Sequence, residues 1–262
     1  MNISFLSGAL IGYIVSVVLA VLSTVYRSET ARRGASILFP LTWLAHSAAV
    51  VRQGMAGGGI PLANVSQYLL VFGWALLTLH LYVWFRAKVY VAGLVLPPLA
   101  AVAAFFSLQL QPANALPAAS QADPLFLFHT TVATVGMAFL GVSFAMSVLY
   151  LIQDRALKTR KTLVLLERLP SLERCDQIGF RSLIFGFALL SLGIGTGLVI
   201  NTEIYQRVWV WGAKTTFPVL AWLVFAAILV ARTSLGFRGR KSAYLTITGF
   251  ALGVLTVIGM TL

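Results

Sequence analysis

Residues 205–243 read YQRVWVWGAKTTFPVLAWLVFAAILVARTSLGFRGRKSA. Trp209, Trp211 and Lys214 precede an apolar run, Phe217 to Ala231, and the basic turn GFRGRK follows it. With its flanks the run is long enough to cross ~30 Å of hydrocarbon at 1.5 Å per residue. Indole is apolar in body with one N–H for the wet side, so tryptophans beside such a run mark a membrane interface. The same pattern recurs along the chain. Hydrophobic residues make up 59% and charged residues 10%, where soluble domains carry about 25% charged. Mean hydropathy is +0.91. No alternating ten-residue strands of a membrane barrel occur. The fold class is all-α, a polytopic membrane protein with eight transmembrane helices.

The expected spans are 3–26, 35–51, 65–85, 89–108, 125–152, 178–200, the opening stretch, and 243–262. The first lacks a basic leader and reads as a span rather than a cleaved signal. Pro97 and Pro98 should kink or break the fourth. The segment from Gln153 to Gln177 carries both charges, holds the lone Cys175, and reads as a solvated loop with short helical pieces on the membrane surface. One cysteine and no CxxC or CxxCH leave thiol redox chemistry and covalent c-type heme without a basis. All of residues 1–262 are expected to form a single transmembrane domain.

The net charge is +12, but its placement argues against nucleic acid. Arginines and lysines sit in the short connections at one face; only Arg52, Arg207 and Lys214 fall on the other. By the positive-inside rule the richer face is cytoplasmic. Both termini, His129 and the Trp209 segment then face outward, in a bacterial cytoplasmic (inner) membrane.

Histidines 46, 80 and 129 lie in or at the ends of spans, where ionisable residues are functional candidates. Imidazole is also a common ligand for iron. None of the expected spans contains a carboxylate, which argues against a carboxylate proton relay or an aspartate-pair protease. His46 and His129 lie at similar expected depths, ~9 Å and ~7 Å from the outer ends of their spans, and His80 lies ~24 Å in. His80 reads as a packing or second-site residue. The Gly193–Gly197 spacing permits close helix approach and reads as packing.

The chain resembles the cytochrome c assembly family, the tryptophan-rich heme-handling membrane proteins of CcsA and CcmC type. It is most similar to the short eight-span HemX/YpjD-like branch. The resemblance rests on LAHSAAVVRQGMAGGGIPLANVSQYL, on HTTVATVGMAFLGVSFAMSVLYLIQDRALK from His129, on LPSLERCDQIGFRSLIFGFALLSLGIGTGLVIN, and on AWLVFAAILVARTSLGFRGRKSA. It implies an outer heme platform of the form W-x-W-D-x-K-E. Trp209 and Trp211 match its aromatic positions and Lys214 its lysine, a partner for heme propionates. His129 and His46 match the family's histidines and are the implied candidates for the heme iron. Gly212 stands where the motif has aspartate, and Thr215 where it has glutamate. No histidine follows Trp211. Met137, ~12 Å along the helix from His129, is a poor substitute ligand. The implied function is a heme-binding or heme-handling accessory in cytochrome c assembly or heme regulation, with no catalytic residue and a membrane-protein partner. The alternative is a non-catalytic scaffold of the same fold that has lost heme.

Overall fold

A computed structural model describes residues 3–110, 123–158 and 170–259. Eight α-helices are long and apolar enough to cross a membrane, and no strand occurs among the described residues. The chain divides into two compact units, Met1–Ala115 with Ile152–Ser171, and Leu116–Leu151 with Leu172–Leu262.

In the first unit α1 (Ile3–Val25) packs chiefly on α2 (Glu29–Gly57), and α3 (Val65–Phe85) on α4 (Leu96–Gln109). The α1 residues Leu6, Ala9, Tyr13, Ser16 and Ala20 are buried at steps of three and four, the spacing of one helix face. Residues Ala31, Ala35, Phe39, Thr42 and His46 form the matching stripe on α2. Gly12 lets the two helices close: a Cβ there would run into the Thr42 hydroxyl.

Helix α2 overruns the expected span at both ends. Ser28 caps its start by accepting from the Ala31 N–H, Glu29 lies in its first turn, and Gly58 ends it at φ 74°. These are the residues that stabilise helix termini. Helix α3 matches its expected bounds and is capped by the Asn64 side chain accepting from the Gln67 N–H at 3.0 Å. The fourth span is broken, as its prolines predict, but the break falls before them. A 3₁₀ turn, Tyr90–Leu94, leads into α4, whose first turn takes Pro97 and Pro98. Proline is tolerated there because those N–H groups have no intrahelical acceptor.

The second unit holds α5 (Pro124–Lys158) as far as Leu151, with α6 (Leu172–Tyr205), α7 (Ala213–Leu235) and α8 (Arg240–Gly259). Helices α5 and α6 cross at Gly136 and Gly186: a Cβ on Gly186 would lie 2.7 Å from Leu140 Cγ. Helix α8 stacks Phe250 on Phe144 of α5 at 4.7 Å between ring centres and packs Gly249 against Phe225 of α7.

The solvated-loop reading around Cys175 is corrected here. Helix α6 begins at Leu172, and Cys175 is buried at 1% exposure. The next residue forms an ion pair. Arg232 of α7 donates to both carboxylate oxygens of Asp176, at 2.8 and 2.6 Å, and lies 3.8 Å from the centre of the Phe180 ring. Arg232 therefore braces α6 against α7 as well as adding to the basic end. Of the segment 153–177, in which short surface helices are expected, residues 159–169 lie outside the described residues.

Candidate heme site

Indoles within the helices show how this protein treats a polar group inside a membrane, where an unpaired N–H is costly. Trp43 donates to Thr78 Oγ1 at 2.8 Å, Trp74 to Ser47 Oγ at 2.8 Å, and Trp84 to Ser36 Oγ at 3.0 Å. In the second unit Trp222 donates to Ser191 Oγ at 2.8 Å. Each of these tryptophans finds a hydroxyl on the neighbouring helix. Trp209 does not: its Nε1 is buried and has no partner among the described residues.

Trp209 lies in the connection between α6 and α7, edge-to-face with Trp211 at 5.5 Å between ring centres. Trp211 is 82% exposed, and Lys214, in the first turn of α7, is exposed. The connection thus offers an exposed indole and a cation at one end of the unit, beside a second indole whose N–H is buried.

His129 belongs to the same end. It sits five residues into α5, ~7 Å from the helix start, and is half-buried against the last turns of α6. Its Nδ1 lies 2.9 Å from the Gly193 carbonyl oxygen and 3.1 Å from Thr196 Oγ1. Gly197 faces the ring edge: a Cβ there would stand 2.9 Å from His129 Cε1. The small residues Gly193 and Gly197, readable only as packing in the sequence, are the seat of this histidine. From Gly197 the helix runs eight residues, ~12 Å, to the Trp209 connection.

The other two histidines lie in the first unit. His46 is fully buried on the α2 stripe, its Nδ1 2.9 Å from the Tyr13 hydroxyl of α1. Its Nε2 lacks a hydrogen-bond partner among the described residues; the Leu70 carbonyl lies near the ring without reaching hydrogen-bond geometry. Because α2 continues to Gly57, His46 stands eleven residues, ~16 Å, from that helix end. The expected match in depth with His129 therefore does not follow from the helices themselves. His80 is also fully buried, packed edge-on against Phe39 at 4.5 Å and beside Trp84 at 5.7 Å between ring centres. Phe39 precedes His46 by seven residues, so His80 and His46 stand ~10 Å apart in level along α2. That separation is wrong for two ligands of one iron.

These features define a helical membrane protein that presents one imidazole and a tryptophan pair at the same end of a four-helix unit. The model of the Cytochrome C assembly protein family matches residues 62–262, and the chain belongs to that family. The match takes in His80, His129 and the Trp209 connection and does not reach Tyr13 or His46. Similar proteins include the cytochrome c biogenesis protein CcsA of Guillardia theta, 28% identical over 222 residues, 78% of this chain and 74% of that one. CcsA of Microcystis aeruginosa is 26% identical over 257 residues, 79% of this chain and 78% of that one. Among solved structures, the cytochrome c heme lyase CcmF shares the fold, with TM-score 0.70 and 18% identity. The alignment covers 98% of this chain but 46% of CcmF, so the chain spans about half the length of that protein.

The residues at this end carry the donor types that a heme site uses, with His129 and the tryptophan connection ~12 Å apart along α6. Imidazole can supply a ligand atom, indole a flat apolar surface, and a lysine a charge for a propionate. The motif's aspartate is missing at Gly212, and no second histidine lies on this connection or beyond it.

Proposed function

We propose that this chain is an accessory in cytochrome c assembly that holds heme at the outward end of its second unit. His129 would ligate the iron, Trp209 and Trp211 would form the platform, and Lys214 would meet a propionate. His46, deep in the first unit and outside the family match, is the weaker of the two candidate ligands. The eight helices would act as one transmembrane domain in a bacterial cytoplasmic membrane, with both termini outside and a second membrane protein completing or receiving the heme. Bound heme supplies a ligatable iron and a flat apolar ring; the chain's residues only hold and orient it. The observation that carries this reading is the buried Trp209 Nε1, which has no partner among the described residues, while the indoles of Trp43, Trp74, Trp84 and Trp222 all pair with a hydroxyl. The absent carboxylate and second histidine favour the rival, a scaffold of the same fold that binds a membrane partner without heme.

Absorption spectra of the purified protein, with hemin added and then reduced, separate the two. A Soret band lost in His129→Ala supports the heme reading. A flat spectrum with ample hemin overturns it and leaves the scaffold.

A further inference from the structure

We infer that the α6 seat presets His129 as a ligand: the Gly193 carbonyl fixes the proton on Nδ1 and leaves Nε2 with its lone pair. The inference rests on the heme reading for its purpose, but the seat itself is a matter of local chemistry. A carbonyl oxygen can only accept, so an Nδ1 held 2.9 Å from Gly193 O must be the protonated nitrogen. The second neighbour agrees. Thr196 Oγ1 has the Leu192 carbonyl at 2.8 Å and the Gly193 carbonyl at 3.1 Å as acceptors, and with its proton on either it turns a lone pair towards Nδ1. In a neutral imidazole, Nε2 is then the free acceptor, the nitrogen that can bind a metal ion. An acceptor behind the distal nitrogen is the arrangement that orients a histidine ligand and raises its basicity.

Gly197 completes the seat by absence. A methyl group there would stand 2.9 Å from His129 Cε1, and the ring is tied at Nδ1, so it must turn and stretch the bond to Gly193. Gly195, two residues away, faces open space and has no atom within 4 Å of a built Cβ. Gly193 itself would bring a Cβ only to 3.5 Å from Ala133, an ordinary contact; its carbonyl matters, not its lack of a side chain.

His46 is held differently. Its Nδ1 partner is the Tyr13 hydroxyl, which can donate or accept. That bond permits either tautomer. The structure therefore distinguishes two histidines that the sequence leaves equal: His129 is committed to ligation through Nε2, and His46 is not. Gly193, Thr196 and Gly197 are positioning residues for His129.

The test uses the full chain in nanodiscs with ¹⁵N-labelled histidine. Ring nitrogen shifts report which nitrogen bears the proton, and loss of one set in His129→Gln assigns it. The expected result is Nδ1–H and bare Nε2 for His129 in the protein without heme. Gly197→Ala should shift that population towards the other tautomer and weaken hemin binding about 10- to 100-fold, while Gly195→Ala changes neither. Thr196→Val should give a smaller shift in the same direction and covers the case in which Gly197→Ala fails to fold. A protonated Nε2 in the unaltered protein overturns the inference, as does a folded Gly197→Ala with unchanged shifts and affinity. If the unaltered protein takes up no hemin, the heme reading falls, and the tautomer spectrum still decides the seat.

Discussion

Tyr13 and Trp209 carry polar groups of opposite standing. The Tyr13 hydroxyl is fully buried and bonded to His46 across the α1–α2 contact. Tyr13→Phe removes that partner and leaves Nδ1 of His46 alone inside the first unit. A buried polar group without its partner costs about 1–3 kcal/mol, so the thermal midpoint of the detergent-solubilised protein should fall. Hemin uptake, if it belongs to His129, should not change. Trp209 predicts the reverse. Its N–H has no partner among the described residues, so Trp209→Phe deletes a buried donor while keeping a ring. Stability without heme should rise by about 1 kcal/mol, and hemin affinity should fall. A variant that is more stable and a poorer binder is the mark of a group retained for a ligand. Equal affinity in Trp209→Phe would make the unpaired N–H incidental.

At the scale of elements, the ion pair between α6 and α7 is the contact the sequence concealed. Arg232 and Asp176 have side-chain exposures of 8% and 18%, so solvent screens them little. Asp176→Asn should lower stability by about 3 kcal/mol, the penalty of leaving one buried charge unpaired, and Asp176→Leu with Arg232→Met should recover most of that loss. Thermal unfolding of the single and double variants in one detergent measures both. The pair was illegible because the partners are 56 residues apart and each has a plausible local role, Arg232 among the basic residues at the end of its span and Asp176 in a mixed-charge segment. Span positions, by contrast, were legible: runs of apolar residues report burial in lipid residue by residue, and α3 fell on its expected bounds. Helix ends were less so, since α2 continues past Val51 through polar residues that a cap at Gly58 keeps helical. The candidate site divides the same way. His129 and the tryptophans stand out by type and order, whereas the roles of Gly193 and Gly197 depend on which helix lies opposite, and no spacing within α6 contains that.

For the whole molecule, heme at the Trp209 connection has a use in cytochrome c assembly only if that connection faces the compartment where the cytochrome is finished. The charge asymmetry is the argument for this orientation: arginine and lysine crowd the connections at one face, and such residues resist translocation. The turn 236–239 and the end of α2 are separated by an odd count of expected spans, which predicts opposite sides of the membrane, so one labelled residue in each decides the matter. Cys175 is buried and can be replaced by alanine to give a thiol-free background. Gly57→Cys and Arg238→Cys then place single thiols at exposed positions, Gly57 having no atom within 4 Å of a built Cβ. A membrane-impermeant maleimide applied to intact cells should label the first, and the second only after the membrane is opened. The inverse pattern would put Trp209, Lys214 and His129 on the cytoplasmic side. Hemin could still bind there, and the His129 seat would be unaffected, but the protein would then be reading cytoplasmic heme rather than presenting it outward. Orientation and ligation are therefore separate questions in this fold, and the labelling result selects between assembly and regulation once the spectrum has shown that heme is held at all.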